Sequence, residues 1–133
     1  MNEYMKQLHN EANKDLQSYD EHNLDHSFNM STCRIKWFNR HHTFLKTSYD
    51  LDKKLTAKFF EVRDNIELTS NEVLSTEVLN KEVLKDKSYM DEKTKVDDVT
   101  LMSEYCLRVV DLLDKKGWEI KSYLDYLKWR EGK

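Results

Sequence analysis

The residues of this chain best suited to act on a partner are four cations, Lys36, Arg40, Lys54 and Lys58. At about 100° per residue they fall within roughly 40° of one another on a helical wheel, so a single helix would present them as one row. Such a row suits phosphates, which Lys and Arg hold by charge without reading bases. It is equally the composition of a solvated helix flank. Arg63 closes the same basic stretch. At the other end of the chain Trp118, Tyr126 and Trp129 are interleaved with Lys121, Lys128 and Arg130. Aromatics among cations can stack bases, and Trp, Tyr and Arg are also enriched where subunits meet. The interface is the favoured reading.

Other chemistry finds less support. Cys33 with His41 or His42 offers the types of a nucleophile and a base, but both would lie on one helix, eight or nine residues apart. His22 and His26 stand four apart, the spacing of two metal ligands on one helix turn, with no evident third and fourth ligand. The two glycines, Gly117 and Gly132, cannot build a phosphate-cradling loop, and neither His-Glu-x-x-His nor Cys-x-x-Cys occurs. The expectation is a protein without catalytic residues, cofactor or bound metal.

Charge is distributed unevenly along the chain. The net charge is -3, but residues 1–33 carry -4, 34–63 carry +5, 64–114 carry -7 and 115–133 carry +3. Basic blocks can meet phosphates while acidic ones keep the particle soluble or meet a basic protein. Charged residues make up 35% and apolar ones 38% of 133 residues. That is too apolar and periodic for disorder and too polar for a large solitary core. Helices with oligomer contacts reconcile the two. Cys33 and Cys106 read as free thiols of a reducing cytoplasm. No apolar run approaches the roughly 20 residues that span a bilayer, and the first ten residues lack a signal peptide's apolar segment.

The elements that must position these residues are helical. With no Pro and two Gly, long helices are expected and strands are not. Residues 2–19 carry Met5, Leu8, Ala12, Leu16 and Tyr19 at helical spacing and form an N-terminal arm, residues 1–26. Asp20 to Asp25 is a polar break, and Asp25 or Ser27 would cap a long helix from Ser27 to Ile66. Trp37, Phe44, Leu51, Leu55, Val62 and Ile66 share one stripe of that helix, with Phe38, Leu45, Tyr49 and Phe60 on a second beside it. Thr43, Thr47 and Ser48 mark the place for a bend. Thr69-Ser70-Asn71-Glu72 fits a capping box and predicts a short helix from there, ending in a turn near Asn80. A second long helix follows from about Ser88 to Lys116, with Val96, Val99, Ser103, Cys106, Val110 and Leu113 as its seam and Gly117 as its C′ residue. A last helix, Ile120 to about Arg130, has Ile120, Tyr123, Leu124 and Leu127 on its apolar stripe.

Three stretches, in order, resemble one family. Lys36-Trp37-Phe38-Asn39-Arg40-His41 is similar to the K-W-hydrophobic-N-K/R-H segment of the UvsY family, the recombination mediators of T-even-like phages. Val78 to Lys85 resembles that family's VLS-acidic-VLK connector, one residue shorter. Lys116-Gly117-Trp118-Glu119-Ile120-Lys121, with the Gly132-Lys133 end, resembles its R/K-G-aromatic-x-I-K tail. The resemblance covers roughly residues 28–133, and residues 1–26 find no match. It implies a helical protein of the phage-infected bacterial cytoplasm that closes into a homo-oligomeric ring, heptameric in form. Such a protein binds single-stranded DNA without sequence preference. It helps a phage recombinase load onto DNA covered by the phage single-strand-binding protein. The family's basic L-K-A-R-L-like motif corresponds here to Leu55-Thr56-Ala57-Lys58-Phe59-Phe60, where Lys58 alone carries over and Phe replaces the Arg. Lys54 or Arg63 would have to substitute for it.

The expectation is therefore an all-α chain: a long antiparallel helical hairpin, a short connector helix and a C-terminal helix that joins subunits. Lys36, Arg40, Lys54, Lys58 and Arg63 would bind DNA. Trp118, Ile120, Tyr123, Leu124, Leu127 and Trp129 would make the oligomer contact. The alternatives are a coiled-coil adaptor or structural oligomer whose partner is a protein, and a metal-dependent enzyme.

Overall fold

The computed structural model describes residues 3–19 and 29–132, and every described element is helical. The helices are α1 (Glu3–Gln17), α2 (Met30–Thr69), α3 (Thr76–Lys85) and α4 (Lys87–Glu131). The polar break at Asp20 to Asp25, the caps at Asp25 or Ser27, and the His22–His26 pair fall outside the described residues. No described helix is long and apolar enough to cross a membrane.

Four boundaries differ from the sequence expectation, each for a local reason. The helix drawn as Ser27 to Ile66 is described from Met30 and runs on through Thr69. Thr69 does not open a capping box, because its Oγ1 donates back to the Asn65 carbonyl at 2.9 Å and so belongs to the end of α2. Ser70 Oγ instead accepts from the Glu72 amide at 3.2 Å. The connector helix starts later, with Ser75 as N-cap accepting from Val78 N. There is no turn at Asn80. Glu77-Val78-Leu79 and Glu82-Val83-Leu84 repeat at five residues, which is not a helix period, and α3 buries Leu79 and Val83, one turn apart, while Val78 and Leu84 stay exposed.

The break comes instead at Asp86, which ends α3 in extended conformation and also starts α4 by accepting from the Tyr89 amide at 3.0 Å. At the far end, Gly117 does not end a helix, for its φ is not positive and α4 continues to Glu131. A lone glycine costs a helix only about 1 kcal/mol, and here it lies against Met30, whose Sδ a Cβ would meet at 3.6 Å. The separate C-terminal helix is thus the last part of α4.

The chain divides into two compact units, residues 1–42 with 102–133, and residues 43–101. In the first, α1 buries Met5, Leu8 and Ala12, α2 buries Cys33 and Trp37, and α4 buries Met102, Ser103, Cys106, Val109, Val110, Leu113 and Ile120. Arg34 pairs with Asp114, and His41 with Ser103, so α2 and α4 run antiparallel within this unit. Ser103, the small polar member of the α4 seam, is 2% exposed. His41 Nδ1 lies 2.8 Å from the Ser103 carbonyl, and Ser103 Oγ donates to the His41 carbonyl at 3.2 Å. The buried Ser103 hydroxyl is therefore satisfied in the seam. The second unit is built on a smaller cluster, Val62, Val83 and Tyr89, flanked by Leu55, Phe59 and Ile66. Phe59 and Tyr89 meet edge to face at 5.9 Å.

Candidate nucleic-acid interface

The first pair of the predicted cation row is not free in this structure. Glu11 and Asp15 stand four apart on α1 beside the buried positions Leu8 and Ala12, so packing α1 on α2 turns both carboxylates onto Lys36 and Arg40, themselves four apart. Lys36 Nζ lies 2.8 Å from both Glu11 Oε1 and Asp15 Oδ2. Arg40 Nη1 lies 2.7 Å from Glu11 Oε2. Trp37, fully buried beneath, donates from Nε1 to Asp15 Oδ2 at 2.9 Å. The two cations lie over its ring, with Lys36 Nζ at 5.5 Å and Arg40 Cζ at 4.9 Å from the centroid.

The charges respond as this geometry requires. The Arg40 hydrogen bond, against the penalty of burial and with help from Lys36, holds the Glu11 carboxyl below its ordinary value. Burial alone would raise Asp15, but bonds from Lys36 and Trp37 outweigh it and the net shift is downward. Burial likewise pulls on Lys36, yet Asp15 and Glu11 together raise it. Arg40 is raised, first by Glu11. Sequence reasoning did not mark Glu11 or Asp15. The available signal was an acid pair at spacing four in the -4 block, matching a base pair at spacing four in the +5 block.

The remaining predicted cations belong to the second unit. Lys54 is exposed. Lys58 is half-buried, with Glu61 3.7 Å away one turn on. Arg63 leans on Phe60, its Cζ 5.8 Å from the ring. Phe60 is itself exposed.

In the residues expected to join subunits, the stripe divides. Ile120 is buried within the chain, and Tyr123, Leu124 and Leu127 are half-buried. Trp118 and Trp129 are 66% and 68% exposed, so these two carry most of the apolar surface still open. Lys121 Nζ lies 5.1 Å from the Trp118 ring, and Tyr126 tilts against Trp129 at 6.3 Å.

Cys33 and Cys106 are both free and buried. Burial pushes the Cys106 thiol up to about 11 and also raises that of Cys33, away from the thiolate a nucleophile needs. His41 is engaged with Ser103 rather than with Cys33. Comparison of the chain with protein-family models, curated proteins and solved structures finds no match.

Proposed function

We propose that this chain is a non-enzymatic recombination mediator. It binds single-stranded DNA without sequence preference and assists a phage recombinase in loading onto DNA covered by single-strand-binding protein. The observation that carries the DNA-binding part is the exposed Lys54, one turn before Lys58 on the same face of α2. Two cations one turn apart can follow a phosphate backbone without reading its bases. The recombinase and the single-strand-binding protein enter through the three motifs at Lys36, Val78 and Lys116 that resemble the UvsY family.

Self-association into a ring belongs to the same reading. Each phosphate contact is weak, and repetition on one body multiplies them through effective concentration. Exposed Trp118 and Trp129 support a contact between copies at the end of α4. The same two side chains favour a second reading, a coiled-coil adaptor that meets a protein partner.

Binding of labelled oligo(dT) across a salt series separates the two. The mediator reading expects affinity that falls steeply with salt, because phosphate contacts release counterions. It also expects Lys54→Ala with Lys58→Ala to weaken binding to all sequences alike. Wild-type affinity in that double variant removes the assignment of these lysines. No binding at low salt leaves the adaptor.

A further inference from the structure

We propose that Lys36, Arg40 and Trp37 form a second phosphate-binding subsite that α1 covers, and that a single-stranded polyanion reaches it by displacing Glu11 and Asp15. The inference rests on the single-strand-binding function proposed above and adds its regulation.

Glu11 bridges the two cations with one oxygen each, Oε1 to Lys36 and Oε2 to Arg40, at 2.8 and 2.7 Å. Two oxygens on one atom, held by a Lys and an Arg, are also what a phosphodiester offers. α1 therefore supplies an internal anion in the place a phosphate would occupy. The Trp37 ring backs both cations and fixes their direction. Asp15 blocks its one polar atom through the Nε1 hydrogen bond.

The cover is of a kind that can be exchanged. The side chains of Lys36, Glu11 and Arg40 are 39%, 37% and 35% exposed, and ion pairs this open are individually weak and screened by salt. Beyond those pairs, α1 buries Met5, Leu8 and Ala12 and adds two polar contacts, His9 with Tyr105 at 2.9 Å and Asp15 with Trp37 at 2.9 Å. A helix of its fifteen residues is marginal when undocked. A polyanion offers many phosphates in series, each able to compete with the Glu11 carboxylate.

The test uses the full chain with Glu11→Gln and Asp15→Asn, which keep shape and remove the internal charge. Affinity for oligo(dT) at low salt should rise about fivefold, as the fraction of open subsite rises. Adding Lys36→Ala and Arg40→Ala should abolish that gain. Unchanged or weaker binding by the charge-neutral variant overturns the proposal, since a merely structural clamp lowers stability without raising affinity. Should the variant fold poorly, hydrogen exchange on the wild-type chain decides. Saturating oligo(dT) should speed exchange of α1 amides, and unchanged or slower exchange overturns the cover. DNA binding that depends on Lys54 and Lys58 while α1 stays protected rejects the cover alone. No binding to oligo(dT) by any form rejects the function proposed above together with it.

Discussion

At the scale of the residue, the chemistry of this chain lies in how its cations are partnered. Lys36 and Arg40 meet carboxylates on a different helix, whereas Lys58 meets one a turn away and Lys54 stands exposed. A pH dependence follows from the first group. Glu11 and Asp15 have folded-state values depressed below the ordinary 4.5 and 3.8. Their contribution to stability is therefore complete above those ordinary values and is lost as the pH falls through the depressed ones. Thermal unfolding followed by circular dichroism should show a lower midpoint at pH 3 than at pH 6. The drop should be smaller in the chain carrying Glu11→Gln and Asp15→Asn. An identical drop in both would mean that other carboxylates govern the acid limb.

At the scale of the element, helix ends were decided by side chains that reach backbone groups. Ser75 and Asp86 each cap a helix through a main-chain amide, and Thr69 extends one by bonding back to Asn65. Gly117 behaves in the opposite way to a C′ glycine, since it sits inside α4 without a positive φ. Gly117→Ala should therefore stabilise the chain by about 0.5–1 kcal/mol, the ordinary gain of Ala over Gly in a helix. The added Cβ meets only Met30 Sδ, at an ordinary contact distance of 3.6 Å. Urea unfolding measures this directly. Destabilisation would mean that α4 breaks at residue 117 in solution and that the C-terminal residues form a separate helix.

At the scale of the whole molecule, each unit has to be considered by its own core. Among the described residues, the unit of residues 43–101 buries Ser48, Val62, Leu79, Val83 and Tyr89, fewer than the other unit. Few buried contacts mean low local stability, so its amides should exchange faster than those of the other unit. Assembly is the second question at this scale. Leu124 and Leu127 are half-buried, next to the exposed Trp118 and Trp129. Burying a Leu is worth roughly 1.5–3 kcal/mol, so Leu124→Asp with Leu127→Asp should break a contact made there between copies. Light scattering should then report a folded monomer or dimer whose DNA affinity has dropped sharply. A large oligomer of unchanged mass would show that these leucines serve their own subunit.

Periodicity and the absence of Pro were enough to specify an all-helical chain, the Met5–Leu8–Ala12 face of α1 and the burial of Trp37 and Val62. These are local consequences of residues three and four apart sharing a face. Helical spacing likewise put Lys36 and Arg40 one turn apart on α2, because that pair depends on a single helix. What covers the pair does not depend on that helix. The contact of Glu11 with Lys36 and Arg40 joins residues 25 and 29 positions apart, and Asp15 with Trp37 joins residues 22 apart. Such pairs exist only once the apolar face of α1 has docked and brought its acidic flank into reach. The pairing of Ser103 with His41 was hidden for the same reason: a small polar residue in an apolar seam shows that something must satisfy it, and only the packed helices decide which atom does.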